Sequence, residues 1–325
     1  MGKLLKYLLT LLLMASVGAV RSQPQMVAFY NVENLMDTRN DPATQDDDML
    51  PNAEKEWSDV RYQAKMSAVA GVVADMSKMC GYPSLLGLAE VENEAVLSSL
   101  VEQPAISGAN YRFVHYDSRD ERGIDVALLY RPDKFRLERS CSLRADVELP
   151  TRDILMVWGD LCGEAVLVVV VHLPSRIGGE KFTSTFRESC ARQLRELIES
   201  VRSEEPHRKL IIMGDMNDTP RDSSIKRVLG AKSNARHLQA DDIYNPFAHC
   251  RKGSMVYEYR WYLYDQILLS SDFIPHSGCS AAKGYVYRQK SLLDRNRAPK
   301  PTYRRAEYMG GVSDHLPVYV LLQLN

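Results

Sequence analysis

The sequence lacks the marks of a zinc-ribbon protein or of a string of linked domains. Its 325 residues contain no Cys-x-x-Cys pair, no internal repeat and no Pro/Gly/Ser-rich linker. The missing Cys-x-x-Cys pair argues against a zinc site, and the missing linker favours one large domain over two ordinary ones. The formal net charge is only −1, so global charge does not indicate a polyanionic partner.

The N-terminal segment has the three parts of a secretory signal peptide. Lys3 and Lys6 precede an apolar stretch over residues 8–20, and Ala19 and Ser22 lie near its end. This stretch is shorter than the roughly 20 residues of a membrane span, although an uncleaved anchor is the alternative. We predict a signal peptide over residues 1–22, export to the periplasm or the medium, and no membrane span after cleavage. Residues 23–325 are then predicted to form a single, monomeric domain.

Six cysteines are present, and an even number in an exported protein permits disulfide bonds. Six cysteines allow 15 full pairings, among which spacing alone does not choose. Cys190 falls on an apolar helical face and is expected to be a buried free thiol. We expect the pairs Cys141–Cys162 and Cys250–Cys279.

Hydrophobic periodicity predicts a mixed α/β protein with two long helices among many strands. One helix starts after Ser58 and ends near Met79, and the second covers residues 183–203. A short helix is predicted over residues 93–102. The first helix has an apolar face formed by Val60, Met66, Val69, Val72, Val73 and Met76. Strands are predicted over residues 26–30, 85–89, 111–116, 124–131, 154–161 and 165–173, and near Leu210, Tyr262, Tyr285 and Leu316.

Polar side chains stand next to six of these strand patterns. The clearest case is Gly214-Asp215-Met216-Asn217, which directly follows the apolar run 210–213. Carboxylate, carboxamide and imidazole groups gathered at strand ends are how an α/β protein assembles a metal-assisted hydrolytic site. The other five places carry Asn31 with Glu33, Glu90, His172, Asp265, and Asp314 with His315.

Four ordered motifs give the chain a resemblance to a known family from about residue 26 to the C-terminus. The motifs are residues 30–35 (YNVENL), 123–127 (GIDVA), 214–220 (GDMNDTP) and 313–318 (SDHLPV). They resemble the endonuclease/exonuclease/phosphatase superfamily of deoxyribonuclease-like metallophosphoesterases, and within it the bacterial extracellular nucleases. The resemblance implies a four-layer α/β/β/α sandwich of two mixed sheets flanked by helices, and it makes residues 23–325 one catalytic domain.

The resemblance also implies a metal site. Glu90 is then the principal metal ligand with Asn31 beside it, Glu33 binds the metal directly or through water, and Asp314 completes the cluster. Oxygen ligands of this kind suit Mg²⁺ or Mn²⁺, with Ca²⁺ as a third candidate.

Five further residues take catalytic roles by the same resemblance. Asp215 orients or deprotonates the attacking water, and Asn217 hydrogen-bonds a phosphoryl oxygen or the nucleophile. His315 contacts the phosphate and pairs with Asp265, which fixes its tautomer and favours its charged form. His172 donates a hydrogen bond or a proton to the phosphate or to the leaving oxygen.

The expected substrate is DNA or RNA, cleaved without sequence specificity. The Pro-x-Trp-Cys-Asp-Arg stretch of inositol phosphatases is absent, and His172 is not followed by the Gln of sphingomyelinases. Arg122, and Arg304 and Arg305 of the basic segment 283–305, are candidate substrate contacts or solvated loop residues. An exported phosphatase, a sphingomyelinase-like phospholipid phosphodiesterase and an inactive relative that binds a phosphorylated ligand remain alternatives.

Overall fold

Two six-stranded mixed sheets form the centre of the structure, a computed structural model that describes residues 23–274 and 282–324. Strands are numbered in chain order. The first sheet contains β1 (Gln25–Leu35), β2 (Leu85–Val91), β3 (Arg112–His115), β4 (Asp125–Tyr130), β13 (Tyr285–Val286) and β16 (Val318–Leu322). The second contains β5 (Phe135–Leu143), β6 (Ile154–Leu161), β7 (Glu164–His172), β8 (Lys209–Asp215), β9 (Ile243–Tyr244) and β12 (Asp265–Ser270).

Each sheet has one parallel pair at its centre. The first has the order β13-β16-β1-β2-β4-β3, in which β1 and β2 are parallel. The second has the order β5-β6-β7-β8-β12-β9, in which β7 and β8 are parallel. Two small antiparallel hairpins stand outside the sheets: β10 (Met255–Tyr257) with β11 (Arg260–Tyr262), and β14 (Tyr303–Arg304) with β15 (Glu307–Tyr308).

Within the described residues, three α-helices accompany the sheets: α1 (Asp59–Cys80), α2 (Glu94–Val101) and α3 (Glu180–Glu204). The Asn93 side chain caps α2 by accepting a hydrogen bond from the backbone N–H of Val96, so the strand that precedes it turns directly into a helix. Short helical turns occupy Asp47–Met49, Ser107–Ala109, Ser224–Val228, Ala235–His237, Ser271–Phe273 and Lys290–Leu292.

The run of valines in β7 shows why the architecture has four layers. Val166, Val168 and Val170 pack in the core between the two sheets. The alternate residues Leu167, Val169 and Val171 pack in a second core together with Cys190, Leu194 and Ile198 of α3. A strand buried on both faces needs a layer on each side, and α1 contacts β1 on the first sheet in the same manner. The predicted α/β/β/α sandwich is therefore confirmed.

Some local expectations were wrong. Strand β5 was not predicted, because most of its side chains are exposed and it lies at a sheet edge, where an apolar alternation is not required. The pattern near Tyr262 ends a hairpin, and the sheet strand begins only at Asp265. Val60 is 79% exposed, since it lies in the first turn of α1 beyond the edge of the core.

The expected bond between Cys141 and Cys162 is absent, and both are free thiols. In the antiparallel pair of β5 and β6, Cys141 lies opposite Met156. Cys162 lies six positions after Met156, which is about 20 Å of extended chain and far more than a disulfide spans. Cys190 is a buried free thiol, as expected. Cys250 is also a free thiol, contrary to the expected pair Cys250–Cys279. Cys279 itself and the signal peptide over residues 1–22 lie outside the described residues.

None of the described helices combines the length and the apolar composition needed to cross a membrane.

Candidate active site

Three neighbouring strands of the second sheet bring His172, Asp215 and Asp265 side by side. Asp215 ends β8, and it lies opposite His172 of the parallel strand β7 and opposite Asp265 of the antiparallel strand β12. The Nε2 atom of His172 is 3.6 Å from Oδ2 of Asp215. Gly214 permits this approach, because a Cβ atom there would stand 2.1 Å from the carbonyl oxygen of Val171. All three side chains are almost fully buried.

His315 completes this group from the loop before β16. Its Nδ1 atom is 2.7 Å from Oδ2 of Asp265, so the hydrogen bond expected between these residues is present. Its Nε2 atom lies 3.7 Å from Oδ2 of Asp215. Burial alone lowers the pKa of His315, but the charges of Asp265, Asp215 and Asp314 outweigh burial and raise the pKa well above its ordinary value. His315 is therefore an imidazolium held between carboxylates.

The first sheet contributes Asn31 and Glu90 from its parallel pair of strands. Asn31 of β1 lies opposite Ala89 of β2, and Glu90 follows with a positive φ of 64° that turns its side chain out of the regular alternation. The Nδ2 group of Asn31 donates to Oε1 of Glu90 at 3.2 Å and to Oδ2 of Asp215 at 3.1 Å. Asn31 thereby joins the polar ends of the two sheets.

Asp314 brings a carboxylate that accepts no hydrogen bond from the other described residues. Burial raises its pKa, the charge of His315 opposes that rise, and the nearby charges of Glu90 and Asp215 add to it. The carboxylates of Glu90, Asp215 and Asp314 thus share one end of the sandwich with the amide of Asn31, whose Oδ1 accepts from the backbone N–H of Glu33 at 2.9 Å. Such a donor set fits a hard divalent cation.

The carboxylate of Glu33 is engaged in hydrogen bonds with the backbone, unlike that of a free metal ligand. Its carboxylate accepts hydrogen bonds from three backbone N–H groups, those of Thr302 at 2.8 Å, Tyr303 at 3.2 Å and Asp314 at 2.9 Å. Burial, and after it the charge of Asp314, raises the pKa of Glu33 to about 7. The side chain therefore fastens the segment 302–314 to β1, beside the cation donors.

His172 has the opposite electrostatic environment to His315. Burial lowers its pKa well below 6.5, and the positive charges of Arg152, Arg122 and His315 lower it further. Its Nδ1 atom is buried and has no hydrogen-bond partner among the described residues. A neutral imidazole and an imidazolium thus stand on two sides of Asp215, which suits them to different tasks.

Asp215 and Asn217 form one rigid turn. The backbone N–H of Asn217 donates to Oδ1 of Asp215 at 2.9 Å, and its Nδ2 group donates to the carbonyl of Leu173 at 2.9 Å. Asn217 has a φ of 48°, a conformation that Asn tolerates better than most residues. Burial raises the pKa of Asp215 to about 6, while His315 opposes the shift and Asp265 adds to it. A carboxylate with such a pKa can accept a proton near neutral pH.

The three candidate substrate arginines are not gathered into this cluster. Arg122 is half-exposed, pairs with Asp120 at 3.5 Å and lines a cavity of about 130 Å³ together with Asn34 and Lys55. Arg304 and Arg305 are exposed on the hairpin β14–β15, where Arg304 lies 3.7 Å from Asp294. They flank the site at the segment that Glu33 fastens.

Two buried cations of the site's framework are not found by sequence reasoning. Arg152 donates to the carbonyls of His172 and Leu173 and pairs with Asp120 at 2.9 Å. Lys65 of α1 donates to the carbonyl of Glu33. The only signal for Lys65 is a charged residue within the apolar face of a helix, and Arg152 has none, because its partners are distant in the sequence.

A second group of potential metal ligands lies at the edge of the first sheet. One nitrogen of His115 and one oxygen each of Asp117 and Asp125 lie within 4.8 Å of one another. The Oδ1 atom of Asp125 accepts from the backbone N–H of Ser118 at 3.0 Å, and Oδ2 is 3.5 Å from Nε2 of His115. Asp125 therefore holds the loop that leads to Arg122.

Comparison with known proteins gives one matching family and several solved structures of the same fold. The profile of the Endonuclease/Exonuclease/phosphatase family matches residues 26–324. Comparison with curated proteins finds no significant match. Solved structures share the fold at identities too low to carry function.

Three of these structures illustrate the range of the fold. Danio rerio TDP2 in complex with a single-strand DNA product has a TM-score of 0.58 and 15% identity over 93% of this chain and 100% of that one. A mannosyl-6-phosphatase of Bacteroides thetaiotaomicron has 0.56 and 18% over 92% and 100%. The human Nocturnin catalytic domain with bound sulfate has 0.55 and 17% over 93% and 95%.

Proposed function

Because this chain belongs to the endonuclease/exonuclease/phosphatase family, we propose that it is a divalent-metal-dependent phosphodiesterase that hydrolyses DNA or RNA. The observation that carries the proposal is the arrangement around Asp215. A carboxylate with a pKa of about 6 stands between a neutral histidine and a charged one, beside an oxygen-rich donor set from the other sheet.

Glu90, Asn31 and Asp314 are the residues that would hold the cation. When bound, a divalent ion supplies polarisation of the phosphoryl group and neutralises its charge. We assign Mg²⁺ or Mn²⁺, with Ca²⁺ as a third candidate, because every donor is an oxygen. Glu33 supports the site by fixing Asp314 through the backbone hydrogen bond at 2.9 Å.

The remaining residues handle the water, the proton and the phosphate. Asp215 accepts a proton from the attacking water, and Asn217 orients that water or a phosphoryl oxygen. His315, kept charged by Asp265, donates from Nε2 to a phosphoryl oxygen. Neutral His172 donates a hydrogen bond to the phosphate or to the leaving oxygen. Together these groups supply the positioning and charge stabilisation that phosphoryl transfer requires.

A nucleic-acid substrate is supported by the charge around the site. Exposed Arg304 and Arg305 follow Thr302 and Tyr303, which Glu33 joins to Asp314, and a related fold holds a single-strand DNA product. A phosphomonoester is the second candidate, because another related fold is a mannosyl-6-phosphatase. We further propose that the signal peptide directs the protein to the periplasm or the medium and that the domain acts as a monomer.

One panel of assays tests these assignments. Purified protein would be incubated with plasmid DNA, RNA, bis-p-nitrophenyl phosphate and a phosphomonoester, with EDTA or with Mg²⁺ or Mn²⁺. We expect cleavage of nucleic acid and of the small diester that EDTA abolishes and added cation restores. Activity that survives exhaustive chelation would refute the metal assignment, and phosphomonoesterase activity alone would replace the nuclease by a phosphatase.

A further inference from the structure

The hairpin β10–β11 is attached directly to the catalytic residues. Met255 forms a bridge with His315, and the backbone N–H of Leu316 donates to the carbonyl of Ser254 at 2.7 Å. The Oγ atom of Ser254 accepts from the backbone N–H of Asp265 at 3.3 Å. The base of the hairpin is thus fixed to both members of the Asp265–His315 pair. Its tip, the turn Glu258–Tyr259, follows the extended residues 255–257 and begins roughly 10 Å from Met255.

The hairpin presents aromatic rings to solvent. Tyr259 at the tip is 99% exposed, Tyr257 is 58% exposed and Trp261 is 36% exposed. Glu258 and Tyr259 have φ angles of 47° and 63°, the two-residue turn with positive φ that holds a tight hairpin. Asn and Gly are the residues that suit such a turn, so local stability does not explain a tyrosine at its tip. Tyr257 lies opposite Arg260 and shares its face of the hairpin, whereas Trp261 lies opposite Val256 on the other face. The exposed rings of Tyr257 and Tyr259 therefore indicate a contact surface.

The charges around the rings are mainly positive. Residues 251–262 contain Arg251, Lys252 and Arg260 against the single carboxylate of Glu258. The guanidinium of Arg288 lies over the ring of Trp261, 4.2 Å from its centroid. Cations next to planar rings complement a chain of phosphates that carries flat bases.

We propose that the hairpin, residues 255–262, is a stacking platform for unpaired bases of a single-stranded nucleic acid whose phosphate lies at His315. This inference rests on the proposed nuclease function and specifies its substrate. Tyr259 and Tyr257 stack on bases next to the cleaved phosphate, and Arg260 contacts the backbone. Bases within a duplex are already stacked on one another, so the platform selects single strands, loops and frayed ends.

Nucleic acid fits the hairpin better than a lipid surface does. The exposed apolar groups of residues 255–262 are tyrosine and tryptophan rings, and no leucine, isoleucine or phenylalanine occurs among these residues. Tyrosine has a flat face for a base, but its hydroxyl group opposes insertion into acyl chains.

Binding to a fluorescein-labelled single-stranded oligonucleotide, measured by anisotropy in EDTA, tests the platform without relying on hydrolysis. We expect Tyr257→Ala/Tyr259→Ala to weaken binding between about 5-fold and about 100-fold, the range for losing stacked bases. Tyr257→Phe/Tyr259→Phe should bind like the unchanged protein, because the rings remain. Tyr257→Leu/Tyr259→Leu should be as weak as the alanine variant, because a leucine is apolar but cannot stack. Both residues are exposed, so folding of the variants is checked by thermal melting.

Two further measurements separate this inference from the proposed function. Hydrolysis of bis-p-nitrophenyl phosphate should be the same in all variants, since this substrate needs only the catalytic residues. If no phosphodiester is cleaved although the oligonucleotide binds through the rings, the proposed function fails and the platform stands. A less than twofold loss of oligonucleotide binding in the alanine variant overturns the platform. So does binding to anionic phospholipid vesicles that the leucine variant retains and the alanine variant loses.

Discussion

At the scale of single residues, Asp215 links the polar end of the second sheet to that of the first. It receives a hydrogen bond from Asn31 of the first sheet and has His172 and His315 near the same oxygen. Strand-end patterns and family motifs predicted these residues, because catalytic side chains of α/β proteins recur at such positions. They could not predict the hydrogen bonds of Glu33, since its partners Thr302 and Tyr303 are about 270 residues away and in an irregular loop.

Asp215→Asn should lower kcat on DNA and on a small phosphodiester by about 10²–10⁴. Asn keeps the shape of the side chain but cannot take a proton from water. The measurement is steady-state kinetics with a melting curve to verify folding. A variant that keeps near-normal kcat would show that another group accepts the proton.

His315→Ala should abolish most activity, and Asp265→Asn should resemble a milder form of the same defect. The Asn oxygen can still accept from Nδ1 of His315, but the hydrogen bond of 2.7 Å is no longer to a charged group, and His315 loses the charge that keeps it protonated. The pH profile distinguishes this role from a structural one. As pH rises, activity that depends on charged His315 is lost when His315 gives up its proton. In Asp265→Asn this loss should occur at lower pH than in the unchanged protein. An unshifted profile would contradict the role of Asp265.

At the scale of elements, irregular segments next to the strand ends hold the site residues in place. Segment 302–314 is fixed by Glu33 and by Lys65, which bonds to Thr302. The hairpins were not predicted, because their strands are two or three residues long and carry no hydrophobic period. Long elements such as α3 and β7 were predicted well, since each must bury a continuous apolar face.

Serine at Arg295, Arg297, Arg304 and Arg305 should raise KM for DNA and flatten its dependence on salt. Each phosphate contact that is lost lowers the number of counterions released when DNA binds. The slope of log KM against log salt should therefore fall. Cleavage of a small phosphodiester should be unchanged. Arg136→Ser is the matched control, because this side chain is 71% exposed on the edge strand β5. Equal losses on both substrates would mean that the segment supports the catalytic residues instead.

At the scale of the whole molecule, composition gave only a mixed α/β class, and the family resemblance gave the four layers. The order of strands within each sheet followed from neither, because many orders bury the same apolar residues. Burial of titratable groups also appears only in three dimensions. Glu92 is buried near Asp37, and burial raises its pKa to about 7 although the backbone N–H of Asp37 opposes the rise.

Glu92→Gln should stabilise the protein at pH 8 more than at pH 5. The folded pKa of about 7 lies above the ordinary value of 4.5, so the folded state holds the proton more tightly. Stability from this group is therefore full below pH 4.5 and is lost as pH rises through 7. The midpoint of thermal unfolding measures the effect, at about 2–4 °C for each 1 kcal/mol in a domain of this size. Exposed Glu94→Gln is the control, and an equal gain at both pH values would contradict the assignment.

The pairing of β1 with β16 determines when the candidate active site can form during folding. Asn31 lies on the first strand and His315 just before the last, and Gln25 pairs with Leu322 in the middle of the first sheet. During synthesis, every other described strand can form before this seam closes. Closing this seam joins segments almost 300 residues apart. The entropy lost in closing so long a loop makes the step slow. The cluster around Asp215 is therefore completed late in folding, and a chain that ends at residue 314 would carry the proposed cation donors without His315.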